Sequence, residues 1–330
     1  MIAALIVLSV CGLFGELIAR MRFGAPIPER LPISRVQANR FRGWEMIPGE
    51  DHYTYQHLVE INAYGLRGAE VPDELAPGER RVLALGDSMT YGQGVASDQT
   101  VPQHLERLLQ SRAPAGSHWR VINAGHRAYA TNQELGLLEE LGARLQPEIV
   151  ILFWYDNDFG ERDLVEVHAE LESAGPRTFD VGGVLEGVTL LKWRLRQAVR
   201  RSALAMVIND RLQAATEPGP TPESFERGFV TLEDRLSEYV RLCTEIGARP
   251  VLAVIPRAGS LAAPGPSADR ERRVQAAARA HGIEVVELLP GLRELYRERG
   301  SLPTLPHDGH YLGAANERMA ADVAAALQEP

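Results

Sequence analysis

The stretch RVLALGDSMTYGQGV, residues 81–95, runs from an apolar segment into a loop with three glycines and one serine. Such a loop can cradle a phosphate or present a nucleophile. A phosphate-binding P-loop needs four residues between its glycines and then a lysine. Here five residues separate Gly86 from Gly92, and the loop contains no lysine. The dinucleotide pattern G-x-G-x-x-G also fails, because Ser97 stands at the position of its last glycine. The loop therefore favours a nucleophile, which would be Ser88.

Apolar runs rich in valine and isoleucine alternate with helix-like segments from residue 80 onward. Nearly continuous apolar runs are typical of parallel strands buried on both faces, and their alternation with helices predicts a doubly wound α/β fold. We therefore predict a flavodoxin-like sheet of five parallel strands. Because the third run ends at residue 154 and the fourth begins at 249, residues 160–235 are predicted to hold a helical insertion. The runs are RVLAL (81–85), WRVINA (119–124), EIVILFW (148–154), RPVLAVI (249–255) and IEVVEL (283–288).

The N-terminal part of the chain differs in character from the rest. The segment IAALIVLSVCGLFGELIA (2–19) is almost entirely apolar, with a length near the low end for a membrane span. No lysine or arginine precedes it, which disfavours a cleaved signal peptide. Residues 1–20 are therefore predicted to be a transmembrane anchor or an uncleaved signal, with a buried helix as the alternative. Residues 21–79 mix proline, glycine and charge, and we interpret them as a linker and N-terminal extension before a main domain at 80–330.

Composition excludes some classes of function. The chain of 330 residues carries a formal net charge of −9 and no long basic run, so a nucleic-acid partner is not expected. Its two cysteines, Cys11 and Cys243, lie in an apolar N-terminal run and a predicted helix, so an intramolecular disulfide is not expected. The histidines show no metal-ligand spacing, so no metal site is expected either.

A serine becomes a nucleophile only with a base, a group that orients the base, and donors for the developing oxyanion. The segments that follow the other predicted strands supply these groups. Gly125 follows the second strand in NAGHRAY, and Asn157 follows the third in YDNDFG. Asp308 and His310 lie in LPHDGHYLG, before the last predicted helix. Because parallel strands end at one edge of the sheet, we expect these residues to meet Ser88 there.

These residues resemble the four motif blocks of the SGNH hydrolases, also called GDSL esterases and lipases. GDSMT (86–90) resembles the first block, and NAG (123–125) the second. YDND (155–158) resembles the third, G-x-N-D, with Tyr155 at the position of the glycine. DGH (308–310) resembles the last, D-x-x-H, but is one residue shorter. The resemblance covers residues 80–330 and implies the SGNH-hydrolase type of the doubly wound fold.

The resemblance also implies a role for each residue. Ser88 is expected to be the nucleophile, His310 the general base and acid, and Asp308 the residue that orients His310. The backbone N–H groups of Ser88 and Gly125 and the side-chain amide of Asn157 are expected to form the oxyanion hole. No metal or organic cofactor is implied.

The resemblance favours a serine esterase that removes an acyl group, such as acetyl, from a glycan or a lipid. An O-acyltransferase that modifies a cell-envelope glycan with the same triad is the alternative. A non-catalytic binding protein that keeps the fold is a third possibility. The esterase and the O-acyltransferase differ in the acceptor of the acyl group, which the sequence does not specify.

Location is a separate prediction. The N-terminal segment and INAYGLRG (61–68) are similar to a membrane-anchored bacterial branch of the family. Four arginines that follow the anchor favour a cytoplasmic catalytic domain by the positive-inside rule. The similarity to anchored, glycan-modifying members favours the opposite side. We predict a single-pass membrane protein whose catalytic domain is periplasmic. The four arginines are Arg20, Arg22, Arg30 and Arg35.

Overall fold

A computed structural model describes residues 2–178, 190–216, 221–262 and 265–327 of the chain. Strands and helices alternate through most of the described residues. The strands are β1 (Arg35–Asn39), β2 (Gly43–Met46), β3 (His52–Thr54), β4 (His57–Val59), β5 (Glu79–Gly86), β6 (His118–Gly125), β7 (Ile149–Trp154), β8 (Arg177–Thr178), β9 (Arg249–Val254) and β10 (Glu284–Glu287). The helices are α1 (Ile2–Phe23), α2 (Ser88–Tyr91), α3 (Val101–Ser111), α4 (Thr131–Leu145), α5 (Leu164–Ala174), α6 (Leu190–Val199), α7 (Ala203–Thr216), α8 (Pro222–Glu245), α9 (Ala258–Ala262), α10 (Pro266–Ala280), α11 (Leu289–Arg299) and α12 (Gly313–Ala326). Two 3₁₀ segments lie at Ser97–Gln99 and Asp156–Phe159.

The central sheet has five parallel strands in the order β10-β9-β7-β5-β6. This order is the flavodoxin-like arrangement, in which the sheet grows from its first strand in both directions. The five predicted runs all form these strands, and the predicted five-stranded parallel sheet is confirmed. Gly86 at the end of β5 is in register with Gly125 of β6 and with Phe153 of β7. The carboxyl ends of these three strands therefore reach one edge of the sheet together.

Apolar layers cover both faces of the sheet, as a doubly wound fold requires. One layer includes Leu138 of α4 and Leu236 of α8 against Leu152 of β7. The opposite layer includes Leu105 of α3 and Met319 of α12. Helices α5 to α8 lie between β7 and β9, in the region predicted as a helical insertion. Residues 179–189 and 217–220 of that insertion lie outside the described residues.

The segment before β5 packs against the central sheet's apolar layer. Strands β1 and β2 pair antiparallel with each other, and β1 also pairs with β8. Trp44 of β2 and the loop residues Tyr64, Leu66 and Val71 are buried in the same cluster as α4 and α8. The shorter strands β3 and β4 form a separate antiparallel hairpin.

Helix α1 packs against α7, and a carboxylate joins the two. Glu16 accepts hydrogen bonds from the Ser202 hydroxyl at 2.7 Å and from the backbone N–H groups of Ala203 and Leu204 at 3.0 and 2.9 Å. It therefore binds the N–H groups that the first turn of α7 leaves without helix partners. Among the described residues, no helix is long and apolar enough to cross a membrane. The transmembrane helix predicted for residues 1–20 is therefore not supported.

Two buried carboxyl groups lie near the site, one on α4 and one in the segment that follows β7. Glu134 of α4 and Asp158 are almost fully buried. Within the described part of the chain, both oxygens of Glu134 and Oδ1 of Asp158 have no hydrogen-bond partner. The other oxygen of Asp158 accepts the backbone N–H of Tyr155 at 2.7 Å and so fixes the start of the 3₁₀ segment that carries Asn157.

Burial and mutual repulsion act on this pair in the same direction. Burial, with a further contribution from the Asp87 carboxylate, raises the pKa of Glu134 well above its usual value. Burial and then the charge of Glu134 raise the pKa of Asp158. A proton retained on Glu134 gives this buried pair an O–H donor and removes one of its two charges. A carboxyl group whose pKa is raised by folding contributes its full stabilisation when the pH is below its pKa in the unfolded chain. This contribution is lost as the pH rises through its pKa in the folded protein.

Glu134→Gln tests this protonation state. The amide is neutral and carries a donor at every pH, so the variant escapes the cost of ionising a buried carboxyl. We expect the variant to unfold at the wild-type temperature at about pH 5. At about pH 8 it should unfold a few degrees above the wild type. Thermal unfolding at the two pH values measures the difference. Glu139→Gln, on the exposed face of the same helix, should unfold at the wild-type temperature at both pH values. A lower melting temperature for Glu134→Gln than for the wild type at the higher pH would contradict a raised pKa of Glu134.

Candidate active site

The turn after β5 presents Ser88 at the edge of the sheet. Gly86 has a φ of 153°, and a Cβ at this position would overlap the Thr90 hydroxyl oxygen. Glycine is therefore required for the turn. Asp87 then caps α2, because its Oδ1 accepts the backbone N–H of Met89 at 2.8 Å. Ser88 is the first residue of this short helix, so no carbonyl within α2 pairs with its backbone N–H.

A tight turn between α11 and α12 carries the other two residues of the predicted triad. Leu305 donates its N–H to the carbonyl of His310 at 2.7 Å, which closes the turn. His307 has a φ of 61° and Gly309 a φ of 87°, so Asp308 is flanked by two residues in the left-handed region. Left-handed conformations at a residue other than glycine are uncommon and occur often at functional sites. The turn reverses the chain sharply enough for Asp308 and His310 to face each other at the short Asp-x-His spacing.

The three predicted residues form a continuous hydrogen-bonded series. His310 Nε2 lies 2.7 Å from Ser88 Oγ, and His310 Nδ1 is hydrogen-bonded to Asp308 Oδ1. Since a carboxylate only accepts, Nδ1 carries the proton and donates it to Asp308. Nε2 is then free to accept the Ser88 hydroxyl proton. This is the tautomer that a general base for Ser88 needs.

The second oxygen of Asp308 has two further donors. The Tyr55 hydroxyl and Gln93 Nε2 both donate to Oδ2, the latter at 3.0 Å. The buried Arg127 in turn donates Nε to Gln93 Oε1 at 2.9 Å and fixes the orientation of that amide. Burial raises the pKa of Asp308, but the hydrogen bonds from His310, Tyr55 and Gln93 outweigh burial and hold the pKa below its usual range. Asp308 is therefore ionised at neutral pH.

Asn157 and Ser88 are linked through the carboxylate of Asp87. Its Nδ2 donates to Asp87 Oδ2 at 2.9 Å, and the same oxygen lies 3.4 Å from Ser88 Oγ. Asp87 is fully buried, and burial raises its pKa. The amide nitrogen of Asn157 has two hydrogens. One can donate to an oxyanion while the other remains hydrogen-bonded to Asp87.

Gly125 is placed next to α2, but its N–H has a partner within the protein. It donates to Asn123 Oδ1 at 3.0 Å. A Cβ at this position would overlap the backbone nitrogen of Tyr91, so the close approach of β6 to α2 requires glycine. The structure therefore brings Ser88, Asp308, His310 and Asn157 together, and it directs the amide of Gly125 to a neighbouring side chain.

Tyr155 occupies the position where the family pattern has glycine. Its φ of −128° is ordinary extended backbone, so no glycine is needed here. The ring is half-buried, and the Arg257 guanidinium lies 5.9 Å from its centroid. Arg257 also pairs with Asp156 at 2.9 Å, as does Arg270 at 3.0 Å. These side chains follow β7 and β9 and form a polar border near the edge where Ser88 lies.

Sequence reasoning missed three residues of this site. Gln93 lies five positions after Ser88 in the decisive loop, and its place in that loop was the available signal. Arg127 follows Gly125 closely, but its contact with Gln93 is long-range. Tyr55 comes from the N-terminal extension, where no local pattern marks it. Among the described residues, no group of three or more His, Cys, Asp or Glu side chains could hold a metal ion.

The N-terminal extension also holds the loop that follows the nucleophile. The buried guanidinium of Arg67 donates to the carbonyls of Tyr91, Gly92 and Val95, each at 2.8 Å. Burial lowers the pKa of Arg67, whose contacts are with backbone carbonyls rather than a carboxylate. These bonds fix the loop that contains Gln93.

Comparisons with solved structures find similar proteins at low sequence identity. The solved structure of TesA is 19% identical, with a TM-score of 0.47, over 76% of this chain and 98% of TesA. The acetyl xylan esterase AlAXEase is 12% identical, with a TM-score of 0.45, over 75% of this chain and 99% of that one. Axe2, an acetylxylan esterase from Geobacillus stearothermophilus, is 14% identical, with a TM-score of 0.43, over 76% of this chain and 95% of Axe2. No curated protein matches the chain.

A family model gives the assignment. Residues 84–318 match the model of the GDSL-like Lipase/Acylhydrolase family, which is more than half of the chain and includes Ser88, Asn157 and His310. The predicted resemblance is confirmed at the level of the family, and the membrane-anchored branch stays a prediction. The chain belongs to the GDSL-like Lipase/Acylhydrolase family of ester hydrolases.

Proposed function

We propose that the protein is a serine esterase that cleaves an acyl ester through a covalent acyl-enzyme. The observation that carries the proposal is the series from Ser88 Oγ to His310 Nε2 and from His310 Nδ1 to Asp308. A binding protein that merely kept the fold has no need of this tautomer and these distances. The series therefore supports catalysis over the non-catalytic alternative.

In the first half of the reaction, Ser88 Oγ attacks the ester carbonyl while His310 Nε2 takes the hydroxyl proton. Asp308, held ionised by its hydrogen bonds, stabilises the imidazolium that forms. The C–O bond to the alcohol then breaks, and His310 returns the proton to the departing oxygen. Ser88 is left esterified by the acyl group.

In the second half, a water molecule attacks the acyl-enzyme and His310 Nε2 takes its proton. The bond to Ser88 breaks, the acid is released, and the proton passes to Ser88 Oγ. Both tetrahedral intermediates place a negative charge on the former carbonyl oxygen. The Ser88 backbone N–H and the free hydrogen of Asn157 Nδ2 are the donors for this charge, and Gly125 would join them by exchanging Asn123 for the oxyanion.

We further propose an ester of a glycan or lipid, with acetyl as the acyl group, as the substrate class. The sequence resemblance supports this choice. The same triad serves an O-acyltransferase if a sugar hydroxyl replaces water in the second half of the reaction. The esterase and the O-acyltransferase differ only in the acceptor of the acyl group, so only the second half of the reaction distinguishes them.

Ser88→Ala is expected to lower kcat/KM for p-nitrophenyl acetate by at least about 10³-fold, because the acyl-enzyme cannot form. Release of p-nitrophenol measures the effect. Ser111→Ala on the exposed surface of α3 is the matched control and should retain wild-type activity. Full activity in Ser88→Ala would refute the proposal.

Asn157→Ala is expected to lower kcat by about 10²–10³-fold, the usual effect of removing one oxyanion donor. Because Asn157 also bonds Asp87, thermal unfolding must accompany the kinetics to show that the variant is folded. Asn209→Ala, at an exposed position of α7, is the matched control. A folded Asn157→Ala variant with unchanged kcat would exclude this residue from the oxyanion hole.

Acetate and p-nitrophenol measured together separate the two acceptors. With p-nitrophenyl acetate and an added glycan, an esterase should release acetate in proportion to p-nitrophenol. Acetylated glycan in place of that acetate would favour the O-acyltransferase and contradict the esterase.

A further inference from the structure

We propose that Tyr55, from the N-terminal extension, is a positioning residue that holds the Asp308 carboxylate in the orientation His310 needs. This inference rests on the proposed function. It assigns a role to a residue that lies outside the matched family segment 84–318. The extension would then complete the catalytic centre rather than only cover the fold.

The backbone of Tyr55 is held in an uncommon conformation. It lies in the turn between β3 and β4 with a φ of 53°, which is costly for a residue with a Cβ. Its carbonyl accepts the backbone N–H of Arg30 at 2.9 Å. The side chain is 7% exposed, and its hydroxyl donates to Asp308 Oδ2. A strained turn thus delivers one buried hydroxyl to one catalytic carboxylate.

The geometry of Asp308 explains why a second support is needed. Oδ1 is bonded to His310 Nδ1, so rotation of the carboxyl group would break the contact that fixes the imidazole tautomer. Gln93 Nε2 lies 3.0 Å from Asp308 Oδ2 and 3.4 Å from His310 Nδ1, so by itself it approaches both partners. The Tyr55 hydroxyl donates to the carboxylate. With the tyrosine in place, Oδ2 has two donors and Oδ1 is left facing His310.

The extension touches the same turn at a second point. His307 Nε2 lies 3.1 Å from the carbonyl oxygen of Gly24, just after α1, which is a hydrogen-bond distance. His307 and Asp308 are therefore both in contact with the extension. These contacts oppose movement of a turn whose flanking residues have left-handed conformations. The extension acts on His310 through this turn and through Asp308, without touching the reacting atoms.

Tyr55→Phe removes the hydroxyl and keeps the ring. We expect kcat for p-nitrophenyl acetate to fall by roughly tenfold, the effect of one hydrogen bond to a charged group, with KM unchanged. Tyr53→Phe in the neighbouring strand is the matched control. Its ring packs under the Arg30 guanidinium, 4.2 Å from the ring centroid. This control should keep the wild-type kcat, and thermal unfolding should show both variants folded.

A double-mutant cycle separates positioning from a general structural effect. If Tyr55 acts through Asp308, adding Tyr55→Phe to Asp308→Ala should cause no further loss of the residual activity. The same loss in both backgrounds, or wild-type activity in Tyr55→Phe alone, would overturn the inference. A fluorophosphonate probe distinguishes failure of the underlying proposal, because a functional enzyme is labelled and Ser88→Ala is not. A wild-type protein that neither hydrolyses the ester nor takes the label would overturn both.

Discussion

The orientation of the Asp308 carboxylate is the constraint on which the rest of the site depends. One oxygen fixes the tautomer of His310, and that tautomer leaves Nε2 free to accept the Ser88 proton. The other oxygen is held by Gln93 from the loop after the nucleophile and by Tyr55 from the extension. Three segments far apart in sequence therefore converge on one carboxylate. This convergence allows a charged group to remain ionised although it is largely buried.

A second carboxylate, Asp87, joins Ser88 to Asn157. It caps the helix that begins at Ser88 and accepts from the amide of Asn157. The two strands that precede these residues are in register, so the bond requires no distortion of the sheet. Asp158 accepts the backbone N–H of Tyr155 and so fixes the start of the segment that carries Asn157. The sheet thus places the site, and the hydrogen bonds of Asp87, Asp158 and Asp308 orient its side chains.

The sheet and the meeting of Ser88, Asp308 and His310 at its edge could be predicted from sequence because their signals are local. Apolar runs indicate buried parallel strands, and the ends of such strands meet at one edge, which placed Ser88, Asp308 and His310 together. Tyr55 and Arg67 could not be found in this way. Each acts through hydrogen bonds to residues more than twenty positions away, and no periodicity marks such a partner. The bond from Gly125 to Asn123 was also invisible, because it depends on a rotamer rather than on a motif. The prediction of a transmembrane helix rested on the length and apolar content of the N-terminal segment and on its similarity to anchored relatives, none of which reports the packing of α1 on α7.

The acyl-enzyme is the central claim of this account, and trapping it is the most direct test. His310→Ala, which can no longer activate the water of the second half-reaction, should be mixed with p-nitrophenyl acetate beside the wild type and quenched rapidly in acid. Peptide mass spectrometry should then find acetate on Ser88 in the wild type early in turnover, with slower formation and longer persistence in the variant. An acetyl group on another residue, or turnover in the wild type with Ser88 unmodified at every quench time, would contradict the account.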